Sequence, residues 1–311
     1  EGGQAPAGQV QADKTTPDPA WQERLELMSY DATQPLNVTT QPPVEGALVQ
    51  EERFSFDSPN GGRAPGLLLR PKKEAKPGVV LFLHGLGGSK DDAVFVAPFL
   101  ASRGWATLAL DAADHGERKK EGEPFFSPTT GSGYRYVVQT VVDYRRAIDY
   151  IETRDDLDAS RIGLLGASMG AIVGTMVAAV DERVDASLLV VGGGDWRRFV
   201  DTCQHPAVAE VRERLKDTEF AHQLELIDPV TYVAHISPRP TWFLNGRQDE
   251  IVPSACAEAL QQAAREPKRV IWYDGGHLPP VPVALKTLSE WVNEVLNKLP
   301  AERAPAEPAA G

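Results

Sequence analysis

Short, uninterrupted apolar runs alternate with segments of helical periodicity along most of this 311-residue chain, and no other feature narrows its fold as much. Val79-Val80-Leu81-Phe82-Leu83 offers no polar side chain to either face, so it reads as a strand covered on both sides, as parallel sheets are. A helix is expected from Lys90 to Ser102, and then a second buried strand from Trp105 to Leu110 that ends at Asp111. From Tyr134 to Thr153, the residues Val137, Val138, Val141, Val142, Ala147 and Ile151 recur at helical spacing, which predicts a long helix packed on the sheet. Further strands are expected at Arg161 to Leu165, Ala186 to Val191, Thr241 to Leu244 and Arg269 to Tyr273. Helices are expected at Met169 to Val180, Ser254 to Arg265 and Val281 to Leu299. This order implies right-handed crossovers and an α/β fold: a mostly parallel central sheet with helices on both faces, and its chemistry at the carboxyl ends of the strands.

Two stretches depart from the alternation. Val49 to Phe56 and Gly66 to Arg70 flank the turn signal Ser58-Pro59-Asn60-Gly61-Gly62, so an antiparallel hairpin precedes the parallel strands. Residues 192–240 form a connection too long for a plain crossover and carry Trp196, Arg197, Arg198, Phe199 and a charged helical segment from Ala207 to Leu215. They read as a small helical insertion over the active edge, with peripheral decoration as the rival reading. Residues 1–20 and 300–311 are too poor in large apolar side chains to offset the entropy of ordering them, which leaves 21–299 as the folded domain between flexible tails. The opening stretch, which starts at Glu1, reads as a linker left after removal of a leader or as a trimmed end, so export is an expectation only.

Lys and Arg total 32 against 44 acidic residues, a net charge of -12 that gives no basic footprint for nucleic acid. No apolar run approaches the roughly 18 residues needed to span a bilayer. Cys203 and Cys256 lack any C-x-x-C spacing and are too few for a disulfide framework; idle buried thiols, or one pair in an oxidising compartment, are both open.

Gly166-Ala167-Ser168-Met169-Gly170 fits G-x-S-x-G and falls between a buried strand and a helix, on the sharp turn that holds a serine oxygen up to solvent. A serine hydroxyl is a weak nucleophile and needs a base, which in turn needs an acid to fix its tautomer. Asp249 and His277 follow the strands that end at Leu244 and Tyr273, and the chain order serine, aspartate, histidine is the one found with nucleophile elbows. Glu250 is a rival acid, and Asp249 is also placed to cap the helix near Ser254. Attack on a carbonyl creates an oxyanion, and the turn His84-Gly85-Leu86-Gly87-Gly88 offers the amide of Leu86 to pair with that of Met169. The same turn lacks the P-loop lysine pattern and the dinucleotide glycine spacing, so phosphate binding is disfavoured. Asp111-Ala112-Ala113-Asp114-His115-Gly116-Glu117-Arg118 has acids and a histidine but no further ligand at metal spacing, so a structural role is expected and no metal site is assigned. Trp196 and Phe199 are candidates for an apolar substrate pocket.

Five segments together resemble the α/β-hydrolase superfamily, and most of all its dienelactone-hydrolase and prolyl-oligopeptidase-like serine esterases. They are H-G-L-G-G from His84, D-A-A-D-H-G from Asp111, G-A-S-M-G around Ser168, P-R-P-T-W-F-L-N-G-R-Q-D-E-I-V-P from Pro238, and G-G-H ending at His277. The resemblance covers about Val49 to Leu299. Position 168 is serine where dienelactone hydrolases carry cysteine, which weakens the case for lactones. The stretch before Val49 is too short for the propeller of prolyl oligopeptidases, so size-gated peptidase activity is not expected.

The expected activity is hydrolysis of a small-molecule carboxylic ester through an acyl-enzyme, with Ser168 as nucleophile, His277 as base, Asp249 as its orienting acid and no cofactor. Because the base must be neutral, activity is expected to fall in acid. Amide or peptide cleavage, and acyl transfer to another acceptor, would use the same three residues. A catalytically silent binding module predicts loss of a triad member, and all three are present.

Overall fold

The computed structural model describes residues 18–120, 132–203 and 207–300. In chain order the elements are α1 (Pro19–Leu27), β1 (Thr39–Thr40), β2 (Val44–Glu45), β3 (Val49–Asp57), β4 (Arg63–Pro71), β5 (Gly78–Leu83), α2 (Ala97–Ala101), β6 (Trp105–Leu110), α3 (Ser132–Glu152), β7 (Asp158–Ala167) and α4 (Met169–Val180). There follow β8 (Ala186–Val190), α5 (Trp196–Thr202), α6 (Ala207–Arg214), α7 (Thr218–Leu226), β9 (Thr241–Gly246), α8 (Ser254–Ala263), β10 (Lys268–Tyr273) and α9 (Val281–Glu294).

One sheet runs in the order β1-β3-β4-β6-β5-β7-β8-β9-β10, with β2 also paired to β3. The hairpin expected from the turn signal is present: β3 and β4 pair antiparallel from Val49↔Pro71 to Asp57↔Arg63. β4 pairs antiparallel with β6, and the neighbours from β6 through β10 are parallel. The chain steps from β5 outward to β6, then crosses back over β5 to β7. That reversal opens a crevice between the carboxyl ends of β5 and β7, the place where open α/β sheets take their ligands. No helix among the described residues is long and apolar enough to cross a membrane.

Core residues divide by sheet face. On one face Val137, Val141, Ile148, Val173, Val177 and Leu260 join α3, α4 and α8 to the strands. On the other, Leu100 of α2 and Leu288, Trp291 and Val292 of α9 pack on Val80, Phe82 and Leu188. α4 is buried from Gly170 to Val180, as an apolar-all-round helix must be when sheet, α3 and insertion enclose it.

The structure departs locally from the sequence reading in three places. The helix expected from Lys90 to Ser102 is two pieces, a 3₁₀ turn over Lys90–Phe95 and then α2. Pro98 has no N–H to return to Val94 and its ring crowds that carbonyl, so a continuous α-helix breaks there. Ser89 and Asp92 start the first piece with a capping box. α9 ends at Glu294, and a 3₁₀ turn at Leu296–Lys298 replaces its expected last turn. α1 begins at Pro19, within the stretch read as tail; residues 1–17 and 301–311 lie outside the described residues.

The expected helical insertion consists of α5, α6, α7 and two 3₁₀ turns at Pro229–Thr231 and Val233–His235. α1 docks on it. Trp21 stacks on His235 with ring centroids 3.6 Å apart, and Arg24 Nε donates to Thr231 Oγ1 at 2.9 Å. Asp228 fixes its entry by accepting the N–H groups of Asp195, Trp196 and Val230 at 2.9, 2.9 and 3.0 Å. Cys203 and Cys256 are both free and buried, and burial pushes the Cys256 thiol up to about 11.

Candidate active site

β7 and α4 meet at Ser168 with no connecting loop, and the backbone there has φ 54° and ψ -118°. An L residue is held in such a conformation only when its surroundings leave no alternative. Here the flanking glycines supply the closeness: a Cβ on Gly166 would stand 2.3 Å from the Gly170 carbonyl oxygen, and one on Gly170 would stand 2.0 Å from the Leu83 oxygen. The Ser168 N–H donates to Val190 O at 2.8 Å, which ties the turn to the neighbouring strand β8.

The loops after β9 and β10 bring the other two residues to it. His277 Nε2 lies 2.8 Å from Ser168 Oγ, and His277 Nδ1 lies 2.8 Å from Asp249 Oδ2. The other Asp249 oxygen accepts the N–H groups of Ile251 and Val252, each at 2.9 Å. The Asp249 side chain is 1% exposed and that of His277 is 13% exposed, so the carboxylate is shielded while the ring edge reaches the crevice. With Asp249 ionised, Nδ1 carries the ring proton and Nε2 is left to accept from the serine hydroxyl. Glu250, the rival acid, is exposed, and Asp249 is the residue that meets the ring.

The sequence reading missed what holds the histidine loop. Tyr273 Oη donates to the carbonyls of Gly276 at 2.6 Å and His277 at 3.2 Å, which bends the chain just before the ring. Arg247 N–H and Gln248 N–H donate across to Tyr273 O at 3.0 Å and Gly275 O at 2.9 Å, lacing the aspartate loop to the histidine loop. Gly246 permits this approach, since a Cβ there would be 2.2 Å from Gly276 O.

The turn after β5 passes over Ser168: a Cβ on Gly85 would lie 3.6 Å from that of Ser168. It closes by Gly88 N–H to Gly85 O at 3.1 Å. Met169 opens α4, where an N–H has no partner within the helix. The amides of Leu86 and Met169 have no acceptor among the described residues. His84 secures the base of the turn, with Nδ1 donating to Gly85 O at 2.8 Å and Nε2 accepting from Ala112 N–H at 3.1 Å. Burial holds this imidazole below its ordinary value.

Asp111 lies in a different setting. It is fully buried and accepts Lys90 N–H at 2.9 Å, Lys90 Nζ at 2.7 Å and Glu117 N–H at 3.0 Å. Burial works against the Lys90 ammonium, but its bonds to Asp111 and Glu117 hold it above its ordinary value. In the segment from Asp111 to Arg118, Lys90 Nζ pairs with Asp111 and Glu117, and Arg118 pairs with Asp143 at 2.6 Å; no group of three or more possible metal ligands occurs among the described residues. Trp196 and Phe199 pack edge-on with centroids 5.8 Å apart, and the indole N–H is taken by Ile227 O at 2.9 Å. A cleft of ≈ 940 Å³ opens on the flank of β4 and α3, beside Arg53, Arg63, Lys90, Arg118 and Tyr136, and none of the residues proposed above lines it.

Comparison with known proteins agrees with this architecture. The family described as alpha/beta hydrolase fold matches residues 78–205, and the one described as BAAT / Acyl-CoA thioester hydrolase C terminal matches residues 142–297. The putative esterase YitV of Bacillus subtilis is 24% identical over 230 residues, covering 70% of this chain and 89% of that protein. The peroxisomal succinyl-coenzyme A thioesterase of Mus musculus is 26% identical over 299 residues, covering 80% of this chain and 66% of that protein. Among solved structures, an acetyl xylan esterase from Paenibacillus sp. R4 superposes with a TM-score of 0.73 at 22% identity, covering 88% of this chain and 92% of that one. The chain belongs to the α/β-hydrolase superfamily and, through residues 142–297, to the BAAT and acyl-CoA thioester hydrolase C-terminal family.

Proposed function

We propose that this protein is a serine hydrolase of carboxylic esters that works through an acyl-enzyme. The observation that carries the reading is the unbroken row Asp249 Oδ2, His277 Nδ1 and Nε2, Ser168 Oγ, with both contacts at 2.8 Å. Ser168 Oγ attacks the acyl carbonyl while its proton passes to His277 Nε2, and Asp249 stabilises the imidazolium that forms. The oxygen that gains charge is received by the amides of Leu86 and Met169, whose hydrogens are otherwise unclaimed. The imidazolium then protonates the leaving alcohol. Water enters, His277 takes its proton, and the acid is released with Ser168 regenerated. No step calls for a cofactor. Relatives named esterase, and the esterase structures that share the fold, support the same reaction class.

Residues 192–240 serve this site as a cap domain in our reading, supported by the direct link from Gly192–Gly194 to the end of β8. A second reading replaces the alcohol oxygen by sulfur. The match to an acyl-CoA thioester hydrolase family over half of the chain favours it, and the triad chemistry is unchanged.

Replacing Ser168 by alanine should lower kcat toward a chromogenic acetate by on the order of 10³ to 10⁶. A fluorophosphonate should label the parent protein and not the variant. Undiminished turnover in the variant overturns the assignment, and matched ester, thioester and amide substrates rank the leaving groups.

A further inference from the structure

The segment that follows His277 reads Leu278-Pro279-Pro280-Val281-Pro282-Val283-Ala284-Leu285, eight residues without a polar side chain. Such a run normally turns inward. Here Leu278 is 83% exposed, Val281 69% and Leu285 46%. Ile251, whose N–H is bonded to Asp249, is 59% exposed on the adjoining loop. Large aliphatic side chains left in water are costly unless something covers them, and these four stand on the two loops that carry Asp249 and His277 and on the helical turn that follows. The three prolines limit backbone freedom, and the end of the run is the first turn of α9, so the surface is rigid before anything arrives.

Its position selects the occupant. In the reaction proposed above, the atom protonated by His277 Nε2 is the leaving oxygen, which must therefore stand within hydrogen-bond reach of that nitrogen. The carbon attached to it departs on the side of the histidine loop. The acyl oxygen, in contrast, faces the Leu86 turn. The charged side chains on the same two loops do not fill the shelf: Arg247 and Asp274 pair with each other at 3.5 Å, and Glu250 stands in solvent.

We propose that Ile251, Leu278, Val281 and Leu285 form an apolar shelf for the leaving group, so that the enzyme selects esters of hydrophobic alcohols over esters of sugars. The proposal rests on the reading of Ser168, His277 and Asp249 as the catalytic row. It separates this chain from the acetyl xylan esterase whose fold it shares, since that protein is named for an acetylated polysaccharide.

The test is kcat/KM for acetates of ethanol, butanol and hexanol, for ethyl butanoate and ethyl hexanoate, and for an acetylated xyloside. A methylene fully withdrawn from water is worth about fourfold, and a shelf covering one side of a chain gives about half of that free energy, or about twofold. From ethyl to hexyl acetate the gain should reach about tenfold, carried mainly by KM. Lengthening the acyl chain instead should gain less than about threefold, and the xyloside should do no better than ethyl acetate. Leu278→Ser and Ile251→Ser should each lower the hexyl-to-ethyl ratio by about threefold; both side chains are solvent-exposed, so the fold tolerates the change. A flat alcohol series, a gain that follows the acyl chain, preference for the xyloside, or a ratio indifferent to Leu278→Ser overturns the shelf. So does a dimer in sedimentation that Leu278→Ser dissolves while the ratio stays flat, because a second copy is then the occupant. Ser168→Ala, run beside them, separates this failure from that of the catalytic reading: it must lose on the order of 10³ or more in kcat on every ester if the row is sound.

Discussion

Two buried aspartates follow parallel strands at the same edge of the sheet, and they differ in what they leave free. Asp111, after β6, is fully buried and spends both oxygens on Lys90 and on the Glu117 amide. Asp249, after β9, spends one oxygen on two backbone amides and keeps the other for His277. Lys90 neutralises the first; among the described residues only an imidazole pairs with the second. A carboxylate saturated by a buried ammonium builds structure. One held by neutral donors keeps its charge available to the imidazole it touches, as the catalytic role proposed for His277 requires.

The comparison predicts opposite phenotypes. The largest effect is expected from Asp249→Asn, which keeps the shape but removes the charge and the tautomer preference: kcat should fall by about 10⁴ with the unfolding midpoint little changed. Steady-state kinetics alongside urea denaturation will show whether the loss is in rate or in fold. Next comes Lys90→Met, which strands the Asp111 carboxylate and should cost about 3–5 kcal/mol of stability. The folded fraction should still label with a fluorophosphonate, and loss of labelling in folded protein would erase the distinction between the two aspartates.

The smallest effect concerns His84, which joins the turn after β5 to the Asp111 loop by donating to Gly85 O and accepting from Ala112 N–H. Burial lowers its protonation range, so the folded state prefers the neutral ring. The unfolded chain binds the proton first, and stability contributed by His84 is complete above the ordinary imidazole value of 6.5 and declines as pH falls below it. Urea midpoints recorded from neutral pH downward should show a shallower decline in His84→Asn than in the parent. Parallel curves would remove His84 from this role.

Most of the sheet is legible in the sequence because its central strands are covered on both faces and read as short apolar runs broken by few polar residues, such as Thr107 and Ser187. β5, β6 and α4 lie where the apolar runs begin and end. β1 and β2 are two residues each and exposed, too short for any periodicity to show. Ser168 and His277 stand out because glycine-rich turns mark them. The choice of Asp249 over Glu250 is clearer in three dimensions, since only there do the amides of Ile251 and Val252 reveal which carboxyl is turned inward. Tyr273 carries no local signal at all, because its hydroxyl acts on carbonyls three and four residues ahead through a bend the pattern does not announce. The apolar run after His277 is plain in the sequence, but helical spacing there suggests an ordinary buried face. Only accessibility shows that it points outward.

The docking of α1 on the insertion carries a consequence for how the molecule is made. Arg24 meets Thr231 across 207 positions of sequence, so this helix emerges from the ribosome long before its seat exists. Contacts of such long range raise the chain's contact order, which slows folding. Trp21 therefore has no seat until His235 has been made, and the wall that α1 lends the insertion can be fitted only after most of the chain has been synthesised.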